Sequence, residues 1–347
     1  MRLLYLFLFL PFLSFGQATL GTNNTAYSGN STEVCIVNAG KLLDEVFLLM
    51  EKNYYRRDVI IWDTLQQAAR NRLQSSNSCE SAYEVINWCF GQMKERHSFV
   101  MPAIKAAAYN NDTSFVRFTP DLSSLVGEIR IENIGDTIAY FSLPWINTTD
   151  ETICSLMADS LQRVIAGLDN GKSQTWVLDL RNNTGGNCWP MIAGVGPLLG
   201  EGVCGYFVRN QERVAISYQK GKAFQGKHSR CAVNGTPYQL KTPPKRIILL
   251  TGNRTSSSGE IITLAFKGKA EVLVAGEPTA GLTTANATYS LSNNAMLVLS
   301  VCQEADRYGT ICEGRIKPDI WIEKKLPSTL AKLMLETEFR ELLLVKN

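Results

Sequence analysis

Hydrophobic positions in the early part of the chain follow the helical period. Leu42, Val46 and Met50 recur at four-residue intervals, and comparable patterns cover residues 62–73 and 81–93. Because a helix turns once in about 3.6 residues, this spacing places the apolar side chains on one face. The pattern predicts a small helical region that ends at the segment RHSF, residues 96–99.

Further along, short apolar runs alternate with amphipathic segments. The runs WVLDL (176–180) and RIILL (246–250) are mainly apolar, and a polar turn follows each of them, as is typical of strands buried on both faces. Strands are predicted at 126–131, 137–143, 176–180, 246–250, 272–275 and 296–301, an edge segment at 317–322, and helices at 150–168, 259–267 and 329–344. Alternating strands and helices predict an α/β fold with a mostly parallel sheet. Residues 187–244 are expected to form a helix and an irregular, hairpin-bearing excursion.

The chain begins with a pattern typical of a secretory signal peptide. One cation, Arg2, precedes an apolar run at residues 3–15, and small residues follow. The run is shorter than the roughly 20 residues of a spanning helix, and Pro11 interrupts it. We therefore expect an exported protein, periplasmic or secreted, with no membrane span after signal cleavage.

Four segments are predicted: a signal peptide at 1–17, an N-terminal helical domain at 18–105, an α/β core at 106–325 and a C-terminal helix at 326–347. The formal charge is +3, and removal of the segment that carries Arg2 leaves 3 − 1 = +2. A charge so near zero gives no reason to expect nucleic acid or an anionic membrane surface as a partner. The sequence does not indicate an oligomeric state.

The chain has nine cysteines, an odd number, so at least one lacks an intramolecular partner. Export permits disulfides, and the pairs Cys302–Cys312 and Cys204–Cys231 are predicted because each could close a hairpin or loop. No pair shows the CxxC spacing, and the chain has only two histidines. We therefore expect neither a structural zinc site nor a cofactor.

Two short polar stretches carry the candidate chemistry. DLRNNTGG (179–186) and TSSSGE (255–260) each follow a predicted buried strand directly. The carboxyl ends of such strands are where open α/β folds bind ligands. One turn offers backbone N–H groups and the other offers serine hydroxyls, a combination that indicates acyl-transfer chemistry.

Ser257 stands at the predicted start of a helix, where free N–H groups and the helix dipole stabilise an oxyanion. The same residues, Ser257-x-x-Glu260, also form the capping-box pattern, so the three serines alone do not decide between the two roles. Gly185 and Gly186 fit a turn of positive φ. We assign Asp179 and Arg181 to the structure of this loop.

A serine hydroxyl needs a base to become nucleophilic at neutral pH. His97 lies in KERHSF, between the helical region and the sheet domain, whereas His228 lies in the polar excursion, where a solvated side chain is the default. A single histidine such as His97 is more often structural, but the junction of two domains is a usual place for a cleft.

Four segments, WVLDLRNNTGG, ILLTGNRTSSSGE, GEPTAG and EGRIKPDI, follow in this order between residues 176 and 320. They resemble the C-terminal processing (tail-specific) peptidases and the related tricorn-core serine peptidases, and RHSF resembles the histidine region of the tricorn-like branch. The resemblance covers roughly residues 40–325. It implies a crotonase/ClpP-like α/β core, a peptide or protein substrate, Ser257 as nucleophile, and an oxyanion hole built from the N–H groups of Ser258 and of Gly185 or Gly186.

In the processing-peptidase branch a lysine after GEPTxG serves as base, and this chain has Leu282 there. Leucine cannot accept a proton. The resemblance to the tricorn-like branch instead implies His97 as base and Glu313 as the acid that orients it, with Glu304 and Asp306 as alternatives. A further departure is that residues 100–137 are too few for the PDZ module that processing peptidases carry.

The sequence thus predicts an exported serine peptidase that forms an acyl-enzyme on Ser257 and whose rate rises with pH through the ionisation of His97, ordinarily at a pKa of ~6.5. A non-catalytic peptide- or lipid-binding protein on the same fold is the alternative. Two other hypotheses are a cysteine hydrolase based on Cys188 and a crotonase-type coenzyme A enzyme.

Overall fold

A computed structural model of the chain describes residues 38–74, 78–109, 122–134 and 136–322. The predicted signal peptide (1–17) and C-terminal helix (326–347) lie outside these residues. The described residues fall into two compact units, one formed by residues 38–109 with 284–302 and the other by residues 122–283 with 303–322. Within them, no helix is long and apolar enough to cross a membrane.

Helices of both units bury one face or their whole surface. Their bounds are α1 (Ala39–Asn53), α2 (Trp62–Leu73), α3 (Cys79–Gln92), α4 (Ala103–Tyr109), α5 (Glu151–Leu168), α6 (Cys188–Leu199) and α7 (Ser258–Phe266). In α1 the predicted apolar face is buried, since Leu42, Val46 and Met50 are all inaccessible. Every residue of α7 is buried, which explains why its sequence lacks the polar face of a surface helix.

The strands are mostly short. Their bounds are β1 (Phe99–Met101), β2 (Ile131–Ile134), β3 (Ile138–Ser142), β4 (Thr175–Asp179), β5 (Gly202–Arg209), β6 (Glu212–Gln219), β7 (Lys222–Gln225), β8 (His228–Ala232), β9 (Arg246–Thr251), β10 (Val272–Gly276), β11 (Thr284–Ser290), β12 (Met296–Ala305) and β13 (Ile320–Trp321). Two short 3₁₀ helices cover Arg57–Val59 and Leu122–Ser124.

The second unit contains a six-stranded sheet in the order β13-β10-β9-β4-β3-β2. Its pairings are parallel except for the antiparallel pair of β2 and β3. The central strands β4 and β9 pair from Thr175–Arg246 to Asp179–Leu250, so their carboxyl ends lie side by side. The two polar turns predicted to carry the chemistry therefore start at neighbouring points of one sheet edge.

Strands β5 to β8 of the same unit are antiparallel, and β5 also pairs with the last residues of β12. In the first unit, β1 pairs antiparallel with the earlier part of β12, with Phe99 opposite Val298, and β11 pairs with β12. The α/β class is confirmed. The mostly parallel, crotonase-like sheet is not confirmed for the core, because two-residue turns such as Lys220-Gly221, both at positive φ, fold the excursion into antiparallel hairpins.

Both predicted disulfides are wrong, since Cys204, Cys231 and Cys312 are free thiols. Cys204 lies on β5 and Cys231 on β8, with β6 and β7 between them. Three strand spacings of about 4.8 Å exceed the reach of a disulfide. Cys312 donates its backbone N–H to Glu304, so it lies opposite that residue rather than opposite Cys302. Cys79 is the described cysteine that is disulfide-bonded.

Candidate active site

Ser257 is the N-cap of α7 and has a strained backbone. Its φ of 53° and ψ of −118° lie in a region that residues other than glycine rarely adopt, at a cost of about 1–3 kcal/mol. The residue is completely buried. Its Oγ has no hydrogen-bond partner among the described residues. A strained turn from strand to helix with an unengaged hydroxyl is the arrangement that hydrolases use to present a nucleophile.

The two flanking serines are occupied by the glycine turn. Ser256 Oγ donates to the carbonyl of Thr184 at 2.9 Å, and Ser258 Oγ donates to the carbonyl of Gly186. The backbone N–H of Ser256 also donates to the carbonyl of Asn183, at 3.1 Å. The structure therefore distinguishes the three serines that the sequence left equivalent, because the outer two fasten the loop and the hydroxyl of Ser257 has no such bond.

The carboxylate of Glu260 fixes the backbone at the start of α7. It accepts the N–H of Ser257 at 2.9 Å, those of Gly281 and Leu282 at 2.9 and 2.8 Å, and the hydroxyl of Thr279. Burial raises the pKa of Glu260 above its ordinary value, while these hydrogen bonds oppose the rise. Ser257 and Glu260 thus occupy the predicted capping-box positions, but the N–H of Glu260 donates to the backbone carbonyl of Ser257 at 2.7 Å, and Ser257 Oγ has no hydrogen-bond partner among the described residues. The carboxylate of Glu260 also ties in Leu282, which occupies the position of the lysine in the processing-peptidase branch.

The glycine turn lies directly against Ser257. Gly185 and Gly186 have φ of 106° and 102°. A Cβ added to Gly185 would lie 2.9 Å from the Cβ of Ser257, and one added to Gly186 would lie 2.1 Å from the carbonyl oxygen of Ile146. The N–H of Gly185 donates to Asn183 Oδ1 at 3.0 Å. Only glycine fits either position. Because the two loops approach so closely, the glycine turn contacts the serine loop through its backbone atoms.

Charged residues before the glycines form a rigid base. Arg181 donates from Nε and from its terminal nitrogen to the two oxygens of Asp179, at 2.9 and 2.7 Å, and the Tyr140 hydroxyl donates to the same carboxylate at 2.7 Å. Burial alone would raise the pKa of Asp179, but Arg181 holds it below its ordinary value. The assignment of Asp179 and Arg181 to loop structure is confirmed.

His97 belongs to the first unit and is buried. Its Nδ1 lies 2.9 Å from Thr284 Oγ1, and its Nε2 has no hydrogen-bond partner in the part of the chain that the structure describes. Burial lowers the pKa of His97 from 6.5 to about 4, although hydrogen bonding to the backbone of Thr284 opposes this change. The imidazole is therefore neutral at physiological pH, with one nitrogen anchored and the other unengaged.

The other predicted acids and bases have different surroundings. Glu313 is exposed and accepts a hydrogen bond from Gln303 at 3.1 Å. Asp306 accepts the N–H groups of the turn that follows it. Glu304 is buried, neither of its carboxylate oxygens has a hydrogen-bond partner among the described residues, and burial raises its pKa well above the ordinary value. His228 is exposed at the start of β8.

Cys188, the nucleophile of the cysteine-hydrolase hypothesis, is the first residue of α6 and is buried. Burial raises its pKa above that of an ordinary thiol, so the thiolate needed for attack does not form near neutral pH. Among the described residues, no group of three or more His, Cys, Asp or Glu side chains is placed to hold a metal ion.

Thr284, which contacts the imidazole, and Ser300 and Glu95, which lie behind Thr284, were not among the predicted site residues. A partial signal existed, because Thr284 and Asn286 are alternate polar positions within the strand TANATYS, and alternate residues share one face of a strand. Glu95 precedes His97 by two residues in KERHSF. Nothing in the sequence showed that β11 and β12 supply hydroxyls to this histidine.

A comparison with known protein families agrees with this geometry and with the order of the motifs. Residues 126–322, more than half of the chain, match the profile of peptidase family S41. The chain belongs to peptidase family S41. It is accordingly a serine-type peptidase, as the resemblance to tail-specific peptidases implied. Its membership disfavours the binding-protein and coenzyme A alternatives.

Relatives of this S41 peptidase include the nisin-resistance protein of Lactococcus lactis subsp. lactis, which is 29% identical over 228 residues, or 64% of this chain and 68% of that protein. A lipoprotein from Streptococcus agalactiae has a similar structure, with a TM-score of 0.63, 23% identity, and coverage of 83% of this chain and 93% of that one. The photosystem II D1 C-terminal processing protease gives a TM-score of 0.55 at 13% identity over 86% of this chain and 97% of its own. These structural likenesses show a shared fold.

Proposed function

We propose that this protein is an exported peptidase that hydrolyses peptide bonds through an acyl-enzyme on Ser257, with His97 as general base. The observation that carries the proposal is the unengaged hydroxyl of Ser257 at a strained helix N-cap, between two serines whose hydroxyls are bonded to the glycine turn. A buried hydroxyl without a partner costs stability, and a reacting group is a sufficient reason to keep one.

The chemistry follows from the protonation states. A neutral His97 with its proton on Nδ1 accepts the Ser257 proton at Nε2 while Oγ attacks the substrate carbonyl. The Ser258 N–H, at the first residue of α7, and the N–H of Gly186 stabilise the resulting oxyanion, because the N–H of Gly185, the other predicted donor, is bonded to Asn183 Oδ1. Such donors contribute roughly 3–4 kcal/mol each to lowering the barrier. The imidazolium then protonates the departing amine, and water releases the acyl group by the same steps in reverse.

We propose Thr284, in place of Glu313, as the group that holds the imidazole. Thr284 Oγ1 is the observed partner of Nδ1, whereas the carboxylate of Glu313 is exposed and bonded to Gln303. A neutral partner is consistent with the low pKa of His97, since an adjacent carboxylate would raise that pKa.

Location outside the cytoplasm is the second part of the proposal. The signal-peptide pattern at residues 1–17 supports it, as do the names of two relatives, a nisin-resistance protein and a lipoprotein. These names favour a location at the cell envelope or beyond it for this protein, and a peptide substrate met in that compartment.

Labelling with a fluorophosphonate probe tests nucleophile and base together. The unchanged protein should be labelled, Ser257→Ala should give none, and His97→Ala should react at least ~100-fold more slowly, since a general base contributes 10²–10⁴-fold. Ser173→Ala is the matched control, because it removes a buried hydroxyl that is bonded to the carbonyl of Leu168, and its rate should stay within about tenfold of the unchanged rate. Persistent labelling of Ser257→Ala would show that the nucleophile lies elsewhere.

A further inference from the structure

A chain of side-chain hydroxyls connects the imidazole of His97 to a buried carboxylate within the first unit. His97 Nδ1 lies 2.9 Å from Thr284 Oγ1, and Thr284 Oγ1 lies 3.2 Å from Ser300 Oγ. Ser300 Oγ in turn lies 3.0 Å from Glu95 Oε1. We call Thr284 and Ser300 the hydroxyl relay, because they are the two links between the ring and Glu95.

The groups at the far end of the hydroxyl relay accept hydrogen bonds from Ser300 and donate none to it. Ser300 Oγ is within hydrogen-bond distance of two acceptors, Glu95 Oε1 at 3.0 Å and Asn286 Oδ1 at 2.9 Å. The Asn286 amide is oriented by its NH₂ group, which donates to the carbonyl of His97 at 3.0 Å. An ionised carboxylate and an amide oxygen cannot donate. The single proton of Ser300 therefore points to one of them, and its lone pair faces Thr284.

The direction of the Ser300 hydrogen bond determines the direction of the hydrogen bonds nearer the imidazole ring. Since Ser300 Oγ accepts, the Thr284 hydroxyl donates to it, and Thr284 Oγ1 in turn accepts a hydrogen bond from His97 Nδ1. The relay thus favours the imidazole tautomer that carries its proton on Nδ1. The remaining ring nitrogen, Nε2, is then an unprotonated acceptor, and it has no partner among the described residues.

Glu95 is held so firmly that it can set this direction. Its Oε1 accepts the backbone N–H groups of His97 and Ser98 at 2.7 and 3.0 Å, and its Oε2 accepts the Tyr54 hydroxyl at 3.0 Å. Burial and the neighbouring charge of Glu95 raise the pKa of Tyr54, so this phenol remains a donor. The carboxylate therefore fixes both the backbone that carries His97 and the end of the relay.

We infer that Thr284, Ser300 and Glu95 are positioning residues, which hold His97 as the Nδ1–H tautomer so that Nε2 is ready to take the proton of the nucleophile. The inference deepens the proposed function and rests on His97 being the base. In triads with a directly bonded aspartate, that carboxylate selects the tautomer. Here two hydroxyls transmit the same selection from a carboxylate that does not contact the ring.

Nitrogen-15 NMR of the imidazoles tests the relay without relying on activity. The chain has only two histidines, and the exposed His228 serves as an internal reference. At pH 7 the His97 signals should show a protonated Nδ1 and an unprotonated Nε2. Thr284→Val removes the hydroxyl while keeping the shape of the side chain. It should therefore shift the population toward the Nε2–H tautomer and slow fluorophosphonate labelling about 10- to 100-fold, the equivalent of one lost buried hydrogen bond.

Conservative variants separate positioning from packing. Thr284→Ser keeps the hydroxyl and should restore both the tautomer and a labelling rate within about threefold. Ser300→Ala should weaken the tautomer preference, whereas the matched control Ser173→Ala, which removes a buried hydroxyl bonded to the carbonyl of Leu168, should not. Thermal unfolding of each variant shows that the protein tested is folded.

Two results would overturn the relay: an Nε2–H tautomer in the unchanged protein, or a folded Thr284→Val protein with tautomer and labelling rate both unchanged. Failure of the proposed function is a different observation. It would be seen as full-rate labelling of His97→Ala, and the NMR result would then decide the tautomer assignment alone.

Discussion

The pH dependence of serine labelling reports the pKa of His97, and burial of the imidazole sets that pKa. Only the neutral imidazole can accept a proton, so the second-order rate constant for fluorophosphonate labelling should follow the neutral fraction of His97. Burial lowers the pKa of this residue to about 4. The rate should therefore rise through a midpoint near that value, and the profile between pH 6 and 8 should be flat.

The two possible environments differ most at pH 5. A histidine with a pKa of about 4 is about 90% neutral there, whereas one with the ordinary pKa of ~6.5 is only about 3% neutral. The labelling rate at pH 5, divided by its plateau near pH 8, should be close to one for the buried imidazole and about one thirtieth for a solvated one. A midpoint near 6.5 would refute the inference from burial.

Acid also weakens the fold, and this effect has to be separated from catalysis. The folded protein takes up the His97 proton near pH 4, while the unfolded chain takes it up near ~6.5. Between these values the unfolded state binds more protons, so the free energy of unfolding decreases as the pH falls. Samples held at each pH and returned to pH 7 should regain full labelling. In His97→Gln this part of the pH dependence of stability should be absent.

Two further substitutions test the glycine turn and the buried cysteine that follows it. Gly185→Ala should destabilise the protein and slow labelling more than tenfold, because its Cβ would lie 2.9 Å from that of Ser257 at a φ of 106° and such strain costs ~1–3 kcal/mol. Gly235→Ala is the control, because nothing lies within 4 Å of its new Cβ. Equal melting temperatures of the two variants would contradict the argument. Cys188→Ala should retain labelling, because burial raises the thiol pKa; loss of labelling in a folded variant would support the cysteine hypothesis.

Much of the second unit could be predicted from periodicity and turn chemistry. The apolar runs at 176–180 and 246–250 correspond to β4 and β9, and the polar turns after them meet at one sheet edge because parallel neighbours end together. The helix predicted at 259–267 is α7, displaced by one residue. These features are local, because an apolar run and the helix start that follows it can both be recognised within about ten consecutive residues.

Contacts between distant segments could not be predicted in this way. The distinction among three adjacent serines depends on carbonyls 72 residues earlier in the chain. The partner of His97 lies 187 residues later. Glu313 was chosen from a motif, and motifs carry no information about which side chain reaches the ring. The antiparallel hairpins of the excursion were foreseen only in part, although Lys220-Gly221 is a two-residue turn signal.

The hydroxyls of Ser256 and Ser258 hold two separate stretches of backbone as one piece. A protein engineer who wished to transplant Ser257 into another scaffold could not move its own loop alone. The acceptor carbonyls of Thr184 and Gly186 would have to be moved with it, as would the glycines that permit the close approach. The smallest transferable unit is thus a pair of strand ends with both of their loops, and sequence drift in either loop is constrained by the other.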